Sequence, residues 1–166
     1  LSNFSFLRGA SHPEELVARA HELGYSAIAL TDECSVAGVV RAHLAAKEHG
    51  LKLLIGSEFV LAEGPHVVLL APDRAAYGDL SELITRGRRA AEKGEYRLTL
   101  EDLAQHSGRC LALWVPGKDW LDEQFVSLRD LFPDRLWIAF ESLLDGRDRE
   151  RLAALQALGA LYGVPL

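Results

Sequence analysis

Three acidic positions stand where chemistry is most easily done. Asp32 and Glu33 close the run Ala-Ile-Ala-Leu-Thr of residues 27–31, and Glu58 closes Gly56-Ser57-Glu58 after Lys52 to Ile55. Carboxylates at strand ends could coordinate hard divalent cations. They could equally serve as general acid and base. A plainer use competes, because Asp32 and Ser35 both fall where the next helix would be capped. The six histidines add little. His21, His43 and His49 lie in helical stretches, His12 in a first turn, His66 at the opening of a strand and His106 at the end of a helix. No HExxH, paired Cys-x-x-Cys, nucleophile elbow, GxGxxG or GxxxxGK[ST] occurs. Zincin, dinucleotide-binding and P-loop readings therefore lack support.

The elements that must position these groups alternate in type. Ser11-His12-Pro13-Glu14 reads as a capping box with Ser11 as N-cap. Leu16, Val17, Ala20 and Leu23 then follow at helical spacing, and Gly24 stops the helix. Residues 27–31 read as a strand buried on both faces. A second helix over 35–49 is expected to turn Val36, Val39, Val40 and Leu44 inward, and Gly50 ends it. Strands are expected over 52–55, continuing extended at 59–61, and over 66–71, 110–115 and 136–141. Helices are expected over 79–92, from the Thr99 cap to about Gly108, over 120–131 and over 147–162. Such alternation predicts an α/β fold with a mainly parallel sheet. In such folds the chemistry sits at the C-terminal ends of the strands, so Asp32, Glu33 and Glu58 are expected on one rim.

Composition bounds the rest. The 166 residues suit one domain, and 49% hydrophobic residues with 25% charged suffice for a core. No apolar run reaches the ~20 residues a membrane-spanning helix needs. The first residues are unlike a signal peptide, and two cysteines make no disulfide framework. A cytoplasmic setting is expected. The net charge of −6 argues against a general nucleic-acid clamp, whose surface would be basic. The densest basic stretch is Arg86, Arg88, Arg89 and Lys93, read as a solvated helix face or a phosphate or partner contact. There is no methionine, even at position 1, and Tyr162 to Leu166 looks like a helix stop leading into a strand. The chain is expected to be part of a longer one.

The run SNFSFLRGASHPEELVARAHELGYSAIALTDECSVAGVVRAHLAAKEHGLKLLIGSEFVL, from Ser2 to Leu61, resembles the opening of a PHP domain (polymerase and histidinol phosphatase family). SNFSFLRGASHPEEL and TDECSVAGVVRAH resemble the version at the front of error-prone bacterial C-family DNA polymerases. Residues 66–71, and the stretch from Leu83 to Arg97, are similar to the same type. The resemblance implies a distorted (βα)7 TIM-like barrel of PHP type. Residues 1–166 would form a single PHP domain, lacking the first strand and the last strand or strands.

The family's metal ligands follow strand ends: His-x-His-Ser with an Asp seven residues on, then Thr-Asp-His-Gly, then Gly-x-Glu. On this chain the second His falls at Leu1, the Asp at Arg8 and the third His at Glu33, while the glutamate is kept as Glu58. Leu1 has no lone pair, and Arg8 is a permanent cation that would repel metal. No Cys stands in register near Trp114-Val115-Pro116-Gly117, because Cys110 lies too early. His106 matches a stretch that often carries a ligand His. The resemblance thus implies a vestigial site at Leu1, Arg8, Glu33 and Glu58, with His106 a weaker candidate. No catalytic residue, metal cluster or cofactor is expected in this segment.

By the same resemblance the parent chain would be a DNA-directed DNA polymerase, using Mg and acting in translesion synthesis and DNA repair. This segment would be a scaffold and interaction module. Its partners would be the remainder of the polymerase chain and other damage-tolerance or replisome proteins. DNA would be contacted mainly by other domains, and no membrane is involved. The competing reading is an active metal-dependent phosphoesterase or 3′–5′ proofreading exonuclease. Arg8 itself is expected to pair with one of the rim carboxylates.

Overall fold

The computed structural model describes residues 1–117 and 120–166. Eleven elements follow one another among them: α1 (Pro13–Glu22), β1 (Ala27–Leu30), α2 (Val39–His49), β2 (Lys52–Val60), β3 (His66–Ala71), α3 (Arg74–Arg89), α4 (Leu100–His106), β4 (Leu111–Trp114), α5 (Asp122–Leu131), β5 (Leu136–Ile138) and α6 (Asp148–Tyr162). The five strands form one sheet in the order β1-β2-β3-β4-β5.

The sheet is mixed, which corrects the expectation of a mainly parallel one. β1 runs parallel to β2 and β4 to β5, but β3 is antiparallel to both its neighbours. Residues 61–65 explain the reversal. Five residues suffice for a hairpin, whereas a parallel return needs a crossover of roughly a dozen. Leu61 N–H donates to Pro65 O at 2.9 Å and closes that turn. The barrel is not formed by the described residues, whose sheet is open. Beyond α6, Ile138 N–H donates to Pro165 O at 2.9 Å, so the last residues lie beside β5.

One face of the sheet carries the core. Phe59, Val67, Leu69, Ala112, Trp114, Leu136 and Ile138 pack with Leu80 and Leu83 of α3, Leu103 of α4, Phe125 and Leu128 of α5 and Leu155 of α6. A smaller core sets Leu30 against Val17 and Ala20 of α1 and Val39, Ala42, Ala45 and Ala46 of α2. Ile55 and Val36 touch both cores.

Several local expectations change. The first N-cap is His12 rather than Ser11, and Glu15 rather than Glu14 accepts from its backbone N–H at 2.7 Å. β1 is not buried on both faces, since Ala29 is exposed. On α2 the inward positions belong to Val39, Ala42, Ala45 and Ala46, while Val40 and Leu44 are 69% and 58% exposed. Alanines let α2 approach α1 and the sheet closely, and that approach turns the larger side chains out. α3 starts five residues early, because Asp73 caps it by accepting from Ala76 N–H at 2.8 Å. The Thr99 cap of α4 lies where the sequence places it.

Candidate functional site: a charge-locked rim

Glu33 and Glu58 face each other. Beyond Leu30 the pairing of β1 with β2 resumes, with Glu58 N–H donating to Asp32 O at 3.2 Å and Cys34 N–H donating to Glu58 O at 2.9 Å. Like charges directly opposite on neighbouring strands are destabilising. The arrangement needs a cation, and Arg8 supplies it. Its Nη1 lies 2.9 Å from Glu33 Oε2 and 2.7 Å from Glu58 Oε1. Both carboxylates hold the guanidinium pKa above its ordinary value.

Each residue of Gly56-Ser57-Glu58 has a separate physical role. A Cβ at Gly56 would lie 2.5 Å from the Leu69 carbonyl oxygen, so only glycine allows β3 to pair this closely. Ser57 Oγ donates to Asp32 O at 2.7 Å and accepts from Ser35 N–H at 3.1 Å, which shapes the 32–35 turn. Glu58 carries the charge.

Asp32 is neither an N-cap nor a free rim acid. It is 1% exposed and holds the N-terminal segment. Its carboxylate accepts from Ser2 N–H at 2.6 Å, Ser2 Oγ at 2.7 Å and Ser5 Oγ at 2.7 Å. Ser5 Oγ in turn accepts from Glu33 N–H at 2.9 Å. These bonds pin the segment that leads into Arg8. Leu1 precedes the pinned Ser2 and contributes no polar atom from its side chain.

Three further residues complete the rim, and the sequence placed none of them there: Arg88 reads from it as part of a solvated helix face or a phosphate or partner contact. His66 Nε2 lies 3.0 Å from Glu58 Oε1. It opens β3, and because β3 runs antiparallel its first residue falls at the same end as the last residues of β2. Tyr96 OH donates to Glu33 Oε1 at 3.1 Å and accepts from Val60 N–H at 2.8 Å. Burial, then the neighbouring Glu33, push its phenol above the ordinary value although the Val60 bond opposes them. Arg88 donates to Glu33 O and Cys34 O, each at 3.1 Å. The fork steadies Cys34 at φ 43°, a left-handed conformation that a non-glycine residue adopts at a cost of about 1–3 kcal/mol.

The rim excludes the other candidates. Trp114 and Val115 reach it, with Val115 N–H donating to His66 O at 2.9 Å, but offer no thiol. Cys110 lies just before β4, at the opposite end of the sheet, buried with Sγ 3.7 Å from Ala76 O. Burial pushes its thiol up to about 11. His106 also precedes β4 and so lies at that far end, with Nδ1 3.3 Å from Glu82 Oε1. Among the described residues no group of three or more His, Cys, Asp and Glu converges in a way that could hold a metal ion.

Burial raises the Glu58 pKa, but His66 and Arg8 outweigh it and hold the carboxyl below its ordinary value. A depressed folded value means that Glu58 contributes stability above the unfolded pKa of about 4.3, lost as pH falls through the folded value. Glu58→Gln is therefore expected to be less stable than the parent at pH 7, with the gap closing below about pH 4. Denaturant titrations at several pH values check this. A gap that stays constant down to about pH 3 would remove Glu58 from the pH dependence.

Comparison with known proteins sets this geometry among relatives. Residues 1–145 match the model of the PHP domain. The chain is 60% identical over 167 residues to an error-prone DNA polymerase of Methylococcus capsulatus and 57% identical over 171 residues to one of Dechloromonas aromatica. Both matches take in 100% of this chain but only 16% and 17% of the relatives, so the chain spans about a sixth of their length. Among solved structures, a protein of Bifidobacterium adolescentis described as a metal-dependent phosphoesterase superposes with a TM-score of 0.68 at 17% identity. That match covers 98% of this chain and 82% of the other, and speaks to the fold alone.

Proposed function

Since the chain belongs to the PHP domain family, we propose that it is the N-terminal segment of an error-prone, translesion DNA polymerase, serving as a scaffold whose metal chemistry has been replaced by an internal arginine. The observation that carries this reading is Arg8, with one nitrogen within 2.9 Å of both Glu33 and Glu58. A metal cluster does not fit these residues. The guanidinium takes up the space between the carboxylates, and Leu1 and Arg8 offer no lone pairs where the family has ligands. Without metal-activated water the hydrolytic nucleophile is missing, and no step of synthesis or hydrolysis is assigned to this segment. The similarity to polymerase relatives over the whole chain supports the parent activity, DNA-directed synthesis with Mg, whose catalytic residues would lie elsewhere. The partners of this segment would be the remainder of that chain and other damage-tolerance or replisome proteins, in the bacterial cytoplasm. The hydrogen bond from Ile138 to Pro165 supports a further strand beside β5, by which the longer chain would close a barrel.

The test is a pair of thermal melts at neutral pH. Arg8→Ala leaves Glu33 and Glu58 facing each other without a cation. Because Arg8 is 42% exposed, solvent screens much of the effect. A loss of about 1 kcal/mol is expected, or roughly 2–4 °C in Tm. Adding Glu58→Gln to Arg8→Ala should recover part of it. Two melts indistinguishable from the parent, or a parent melt raised several degrees by Mn or Zn, would overturn the proposal.

A further inference from the structure

The densest basic stretch of this acidic chain forms a cleft. Arg86 and Arg89 stand near the end of α3, and Arg97 comes from the segment that runs back beside it, its N–H donating to Gly87 O at 3.0 Å. Gly87 permits this approach, since a Cβ there would lie 2.9 Å from Leu98 Cγ. The cleft is open and has a volume of about 450 Å³, lined by Thr85, Arg86, Arg89 and Arg97 together with Glu82 and Asp102. Of the two carboxylates, Asp102 is engaged and Glu82 is 63% exposed. Asp102 accepts from Thr99 N–H at 3.0 Å and Thr99 Oγ1 at 2.9 Å and meets Arg86 at 3.3 Å. Glu82 lies against His106. Arg89 and Arg97 are exposed, and neither has a carboxylate partner among the described residues. Two uncommitted guanidinium forks from different segments, held across one cleft by a backbone hydrogen bond, suit the oxygens of a phosphate.

We propose that this cleft binds the phosphodiester backbone of single-stranded nucleic acid. The anion site stands on its own geometry, and the choice of nucleic acid over an acidic peptide rests on the polymerase reading above. The cleft lies at the small end of the range for ligand sites, which suits one strand rather than a duplex. The acidic remainder of the surface repels a polyanion, so binding is local, weak and sensitive to salt.

The experiment titrates the chain with fluorescein-labelled oligodeoxythymidylate between about 50 and 200 mM NaCl, following anisotropy. Each phosphate contact with a single strand contributes about 0.7 to the slope of log K against log salt. Arg89→Ala with Arg97→Ala should lose about 1.4 of that slope while melting like the parent, and Arg89→Lys with Arg97→Lys should keep it. An unchanged slope in the alanine pair, or no binding by the parent, would overturn the proposal and leave the Arg8 melts untouched as a test of the rim. Displacement of the oligonucleotide by a glutamate-rich peptide of equal charge would overturn the nucleic-acid assignment in favour of an acidic protein partner.

Discussion

Asp32→Ala is expected to destabilise the fold by about 3 kcal/mol or more, since a buried donor left without its acceptor costs about 1–3 kcal/mol and three donors converge on this carboxylate. Ser2 N–H, Ser2 Oγ and Ser5 Oγ all lie within 2.7 Å of it, and Ser2 and Ser5 are as buried as Asp32 itself. Alanine offers no acceptor and leaves no route for water except by opening the loop. That loop carries Arg8, so the same change should slacken the cation between Glu33 and Glu58. Asp32→Asn keeps the shape and one acceptor oxygen and should fall between parent and alanine. Guanidinium unfolding of the three proteins measures the series. A loss under about 1 kcal/mol for the alanine variant would mean that the N-terminal segment is not held by this carboxylate.

The second large effect is expected at Gly56. Its added Cβ would meet Leu69 O at 2.5 Å, Leu70 Cδ2 at 2.7 Å and Thr31 Cγ2 at 3.1 Å. A flexible side chain can move aside. A carbonyl in the central strand cannot do so without parting β2 from β3. Overpacking commonly costs about 1–3 kcal/mol, and an obstructing backbone atom puts Gly56→Ala at the upper end, roughly 6–12 °C in Tm for a chain of this size. The distortion would also reach the next two residues, Ser57 and Glu58. Gly78, whose Cβ would meet nothing within 4 Å, is the control, and Gly78→Ala should melt close to the parent. Equal melts for the two variants would show that the β2–β3 spacing is not set at Gly56.

What the sequence made legible was local. The Thr99 cap, the strand over 66–71 and the carboxylates following β1 all depend on neighbours a few residues away, where spacing and side-chain type carry the information, whereas Glu58 lies inside β2, which runs on to Val60 instead of ending at Ile55. The direction of β3 was legible in principle. Residues 61–65 are too few for a crossover, a count that the general alternation of helix and strand obscures, and with it the place of His66 at the rim. The inward face of α2 misled for another reason. Its residues 39–46 are apolar on nearly every side, and preference for the larger ones placed Val40 and Leu44 inside. Contact distance decided for Ala42, Ala45 and Ala46 instead. Tyr96 and Arg88 carry no local mark of a rim role. The end of α3 sets Arg88, and the return of the chain from it sets Tyr96, beside Glu33, 55 and 63 positions away.

The rim has a history within each molecule. Its parts leave the ribosome in the order Arg8, Glu33, Glu58, His66, Arg88, Tyr96, so the first cation waits 88 positions for the phenol that completes the cluster. At about 5–20 residues per second, that wait is roughly 4–18 s. Between Glu58 and Arg88 the nascent chain holds two carboxylates and a guanidinium that can pair, while the Glu33–Cys34 turn still lacks the Arg88 fork that steadies it. The left-handed Cys34 would then be among the last features to become permanent. A ribosome stalled before the codon for Arg88 would carry a rim whose two carboxylates share one guanidinium and whose turn is still unfastened.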